Sequence, residues 1–165
     1  QTHLLLAAGK TGKPVNIKKG QFMSPWNMKN SARKIEKTGN DQILLSERGT
    51  FFGYNMLIND YRGLKIMQDS GYPVCYDATH SVQLPTSLGT LSGGQREFIP
   101  GLVRAAAAMG IDALFVEVHD DPENALSDPA TQLPLHHLEK ILAQALEVRA
   151  LHSRLIDEWG PDNVE

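Results

Sequence analysis

The chain has 165 residues, 41% hydrophobic and 21% charged, enough for one domain with its own core. The formal net charge is -3, so bulk electrostatics give no reason to expect a nucleic-acid partner. No run of about 18 apolar residues exists, so no membrane span is expected.

The opening stretch THLLLAAGKTG reads as the body and end of a helix, stopped by Gly12. It has no lead-in and no Met, so the chain is expected to begin inside a larger protein. Leu4 to Ala8 is too short for the apolar core of a secretion signal, and no basic residue precedes it. Val15 and Ile17 then carry a short strand ending in Lys18 and Lys19. A helix follows, with Ser24 as a cap, Pro25 at the first helical position and Gly39 as its close. The next strand runs from Gln42 to Ser46 and ends in Glu47 and Arg48. The Gly- and aromatic-rich GTFFGYN is expected to be a loop. DYRGLKIMQDSG is weakly helical and leads into the strand YPVCYDATH. That strand holds Cys75, the one cysteine, so no internal disulfide can form, which fits a reducing cytoplasm. SVQLPTSLGTLSGGQ is expected to be a loop before a helix from Glu97 to Met109, where Pro100 is tolerable only in the first turn. DALFVEVH reads as a fourth strand and DDPENALSDPATQLP as a loop. The last helix runs from Leu135 to Glu158, with Leu138, Ile141, Leu142, Ala145 and Val148 on one face.

Helix and strand therefore alternate, as αβαβαβαβα. The strands are short and apolar on both faces, as parallel strands covered on both sides are. The fold class is α/β, either an open doubly wound sheet or part of a (β/α)8 barrel, with strands spaced as in βαβ units. No G-x-G-x-x-G follows a strand and no G-x-x-x-x-G-K-[ST] occurs, so nucleotide-binding fingerprints are absent. SGGQ at 92–95 precedes a helix, where backbone N–H groups can bind a phosphate, although a plain flexible loop reads the same way.

Position carries more than any motif. All four strands end in polar side chains: Lys18 and Lys19, Glu47 and Arg48, Asp77 and His80, Glu117 and His119. In parallel α/β folds these ends share one side, where active sites and ligand crevices lie. Taken singly, each residue has a plain reading. Lys18 or Arg48 is a solvated charge or an ion-pair partner, His80 bonds a loop, and Glu117 pairs with Lys18. Together they describe an anion-binding pocket with a histidine and carboxylates. Lys and Arg suit phosphate and carboxylate groups. His80 with Glu117 and Asp128 suits acid–base work, a divalent metal, or a plain hydrogen-bonded cluster. The residues lead as far as a lyase, aldolase or transferase acting on a phosphorylated, anionic small molecule.

VNIKKGQF, SPWNMKN, ERGTFFGYN, YDATHSVQLP, SGGQREF and ALSDPATQLPL together resemble the 3-deoxy-D-manno-octulosonate-8-phosphate synthases over nearly all of the chain. The resemblance implies a (β/α)8 barrel, of which residues 1–165 hold about the C-terminal half of a single domain. It implies condensation of phosphoenolpyruvate with D-arabinose 5-phosphate and water, for lipopolysaccharide core biosynthesis. It also implies a cytoplasmic homo-oligomer, a tetramer in the full-length family. Lys18 and Arg48 match residues that grip phosphoenolpyruvate, and Lys18 and His80 become the catalytic candidates. Ser92 matches a contact to the sugar phosphate. His80, Glu117 and Asp128 match three ligands of the metal-dependent branch, whose ALSDPATQLPL wording this chain shares. The family's fourth ligand, a cysteine on the first barrel strand, has no counterpart here, and Cys75 does not correspond to it. Nor are the family's first four strands represented, nor their loop that binds both substrates. The family's arginine that reaches a neighbouring subunit belongs just before Gln1, and His3 stands where the family usually has Asp. Two other readings follow: an inactive half-barrel fragment that needs a partner, or a synthase of the related 3-deoxy-arabino-heptulosonate-7-phosphate type.

Overall fold

The computed structural model describes residues 1–53, 55–88 and 91–161, and the side chains of all of these except 86–88 and 91–92. Four parallel strands form the main sheet: β1 (Val15–Lys18), β2 (Ile43–Glu47), β3 (Val74–Asp77) and β4 (Ala113–Phe115), in that spatial order. Among the described residues five helices alternate with them: α1 (Thr2–Gly9), α2 (Met28–Glu36), α3 (Arg62–Gln68), α4 (Ile99–Ala108) and α5 (Leu138–Trp159). The element order is the one expected from the sequence.

The register fixes what each face presents. Lys18 pairs with Ser46, Ser46 with Cys75, and Cys75 with Ala113; two pairs further along, Asp77 meets Phe115. Because side chains alternate along a strand, these residues share one face. Ile17, Leu45, Val74 and Tyr76 point the other way and are buried. They pack in one core with Met28, Ala32 and Ile35 of α2, Leu64 and Met67 of α3, and Ile99, Val103 and Ala106 of α4. Each fully buried Leu, Val or Met contributes about 1.5–3 kcal/mol relative to exposure, so this helix-facing layer holds the sheet in place. The opposite face is free to carry polar groups.

Three local expectations change. The stretch expected as a loop from Ser81 to Gln95 contains an antiparallel hairpin, Gln83–Leu88 against Leu91–Gly94, with a register irregularity between Leu84 and Leu88. GTFFGYN is likewise not wholly loop, since Thr50–Phe51 pairs with Leu57–Ile58. The fourth strand is broken: β4 ends at Phe115, and Val118–His119 pairs instead with Leu133–Pro134. At the break, Glu117 N–H donates to the Thr79 hydroxyl at 3.1 Å, which fastens the bend to the turn after β3. Helix boundaries follow the sequence closely. Pro100 sits in the first turn of α4, and Gly12 and Gly39 have φ of 67° and 84°, the left-handed turns that glycine favours. Among the described residues, no helix is long and apolar enough to cross a membrane.

Candidate active site

The strand ends gather one polar cluster, and Asp77 is its hub. Its carboxylate is fully buried and takes an ion pair from Lys18 Nζ at 2.8 Å. It also lies 2.8 and 2.9 Å from His80 Nδ1, and His80 N–H donates to it at 3.1 Å. Burial by itself would raise the pKa of this carboxyl, but hydrogen bonds from His80 and Lys18 outweigh that and hold it below its ordinary value. Lys18 Nζ also lies 3.2 Å from His80 Nδ1. An ammonium and an N–H cannot donate to each other, so that contact arises because both lean on one acid. Lys18 rests 4.3 Å above the Phe115 ring, which adds a cation–π contact.

With Nδ1 turned to Asp77, His80 presents Nε2 to Glu117, whose Oε1 is 3.4 Å away. One ligand atom from each of His80, Glu117 and Asp128 lies within 4.8 Å of the others. Glu117 Oε2 is buried without a hydrogen-bond partner. A buried carboxylate oxygen left unpaired is costly, and a divalent cation held by these three would satisfy it. A histidine whose other ring nitrogen leans on a carboxylate is also the usual arrangement behind a metal. The donor set therefore fits a divalent metal. Asp128 adopts φ 48°, in the left-handed region, and accepts a hydrogen bond from Gln83 Nε2 at 2.6 Å. Gln83 Oε1 in turn accepts from Arg48 at 2.5 Å. Burial lowers the Arg48 pKa, opposed by the nearby carboxylates of Asp77, Asp128 and Glu47.

The cluster thus unites Lys18, Arg48, Asp77, His80, Glu117 and Asp128. It does not include every strand-end residue. Lys19 and Glu47 lie on the helix-facing side and pair with each other at 3.3 Å, 1% and 5% exposed. Glu47 Oε1 also accepts the N–H groups of Arg48 and Gly49, so it shapes the turn that projects Arg48. This pair borders a cavity of about 790 Å³ lined by Phe22, Trp26 and Phe52, behind the sheet and away from His80. His119 turns to Asp120 and Asp121 instead. Lys18 pairs with Asp77 rather than Glu117. The backbone of Ser92 runs in the hairpin, but its side chain lies outside the described residues. The SGGQ cradle meets a rival claim, because Gln95 N–H is already donated to Val82 O and a 3-10 turn, Arg96–Phe98, precedes α4.

Gln83 is the site residue that sequence position did not single out. It follows the strand-end turn of β3, but only the hairpin aims it between Arg48 and Asp128. Thr79 stands in the sequence at the polar tip of the β3 segment, but its task of fastening Glu117 shows only in the fold.

A model of the DAHP synthetase I family matches residues 1–153. The chain is 57% identical over 151 residues to a 2-dehydro-3-deoxyphosphooctonate aldolase of Syntrophotalea carbinolica, covering 92% of this chain and 54% of the relative. It is 56% identical over 149 residues to the protein of that name from Desulfatibacillum aliphaticivorans, covering 90% and 55%. The same name belongs to a Protochlamydia amoebophila protein that is 55% identical over 151 residues, covering 92% and 55%. The chain spans about half the length of these relatives.

Proposed function

This chain belongs to the DAHP synthetase I family, and we propose that it carries part of the active site of a 3-deoxy-D-manno-octulosonate-8-phosphate synthase. The reaction joins phosphoenolpyruvate to D-arabinose 5-phosphate with water and releases inorganic phosphate. The reading rests first on one observation: His80, Glu117 and Asp128 converge within 4.8 Å, beside Lys18 and Arg48.

Each residue has a task in this reading. Lys18 and Arg48 neutralise the carboxylate and phosphate of phosphoenolpyruvate, Arg48 through its planar fork. Asp77 orients Lys18 and fixes the His80 ring. Ser92 contacts the phosphate of the sugar, a role carried by the motif match alone. His80, Glu117 and Asp128 would hold the divalent metal, with a further ligand from elsewhere. Such an ion supplies Lewis-acid polarisation or lowers the pKa of a water. We assign residues 1–165 to the C-terminal part of a (β/α)8 barrel, since the four-strand parallel sheet with its outer helices suits an arc of one. A cytoplasmic homo-tetramer completes the proposal. Phe22, Trp26 and Phe52, each at least 68% exposed, supply the apolar surface that an interface covers.

The test uses the complete protein that carries these residues. Phosphate release from phosphoenolpyruvate is expected with arabinose 5-phosphate and not with erythrose 4-phosphate; the reverse preference would assign the seven-carbon synthase instead. In His80→Ala, bound divalent metal and rate should fall together, the rate by about a hundredfold or more. Unchanged metal and rate would remove His80 from the site.

A further inference from the structure

We propose that Gln83 is a positioning residue that keeps the Arg48 guanidinium and the Asp128 carboxylate apart, an inference that rests on the site reading above. Arg48 has only donors and an ionised Asp128 only acceptors. Left to themselves at this range they would form a direct ion pair. That pair would take the fork meant for a substrate anion and the carboxylate meant for a metal. Gln83 stands between them, with Oε1 accepting from Arg48 at 2.5 Å and Nε2 donating to Asp128 Oδ1 at 2.6 Å. The opposite amide orientation would set donor against donor and acceptor against acceptor, so the geometry fixes one orientation. Among side chains of this length, only an amide gives an acceptor to one neighbour and a donor to the other. A Glu lacks the donor, a Met lacks both, and an Asn is a methylene short.

The backbone supports the same role. Gln83 opens the hairpin opposite Gly94. Asp128 is held at φ 48°, with its carbonyl accepting from the N–H groups of Thr131 and Gln132. The backbones of Gln83 and Asp128 are both anchored, so the Gln83 side chain is held beside Asp128 where it meets Arg48.

The test measures Mn²⁺ uptake by the complete protein from the EPR signal of the free ion, a readout independent of turnover. Gln83→Met keeps the volume and removes both hydrogen bonds. Mn²⁺ affinity is expected to fall about tenfold or more, as when groups behind metal ligands are lost. The KM for phosphoenolpyruvate should rise more than kcat falls. Adding Arg48→Ala to Gln83→Met should restore Mn²⁺ affinity, because the competitor for Asp128 is gone. A structural role alone would give no such rescue. Unchanged Mn²⁺ affinity in Gln83→Met, or a loss that Arg48→Ala does not repair, would overturn the proposal. A parent protein that takes up no Mn²⁺ would overturn the metal-site reading itself, and this inference with it.

Discussion

Cys75 shows how placement decides what a residue does. It shares the polar face with Lys18 and Asp77, yet it is 2% exposed. Burial pushes the thiol pKa up; a hydrogen bond with Ser46 opposes this in part, and the charge of Asp77 adds to the rise. A raised pKa leaves little thiolate near neutral pH, and the thiolate is the nucleophile. Iodoacetamide is therefore expected to label the native protein far more slowly than the urea-unfolded one at about pH 8, where an ordinary thiol is already partly ionised. Equal labelling rates by mass spectrometry would contradict the burial. Strand position made Lys18, Arg48, His80 and Glu117 legible as candidates, whereas Asp128 was carried mainly by the motif ALSDPATQLPL. Lys19 and Glu47 looked equally good in the sequence. Their exclusion depends on side-chain parity, which cannot be assigned until the register is known.

At the scale of elements, periodicity and punctuation gave the alternation of helices and parallel strands. The short antiparallel pairs escaped because the three glycines of LGTLSGG carry weak strand preference, and the pairing is decided by neighbours. Gly94 marks where such a neighbour sits. A Cβ there would lie 2.8 Å from Ala130 O and would collide with the Thr131 side chain. Backbone cannot yield as a flexible side chain does, so the hairpin approaches the 128–132 turn only through a glycine. Gly94→Ala is expected to cost about 1–3 kcal/mol in urea denaturation, the range for overpacking. It should also displace the turn that carries Asp128. A variant as stable as the parent would mean that the close approach is not needed.

For the whole molecule, two surfaces ask for company. The sheet ends at β1 and β4 without a further main-sheet partner among the described residues. In α5, 22 residues long, Ile141 alone is buried, while Leu142, Leu146, Leu151, Leu155 and Trp159 are exposed. The one-sided stripe read from the sequence is accordingly only part of the helix's apolar surface. These open surfaces suit a chain that spans about half the length of its relatives.

The two faces of β1 have a genetic consequence. Lys18 and Lys19 are the same letter twice, yet one joins the polar cluster around Asp77 and the other is buried against Glu47 on the helix-facing side. In Lys18→Ala the buried Asp77 keeps its hydrogen bonds from His80, so phosphate release should fall far more than cellular abundance. Lys19→Ala leaves the buried Glu47 without its counter-charge, held only by the N–H groups of Arg48 and Gly49; breaking a buried pair typically costs about 3–5 kcal/mol, so abundance itself should drop. A saturation library along β1, scored separately for abundance and activity, should alternate with a period of two. Asn16 and Lys18 would tolerate change in the first score, and Ile17 and Lys19 would not. Matching profiles at 18 and 19 would mean that the faces are not divided in this way.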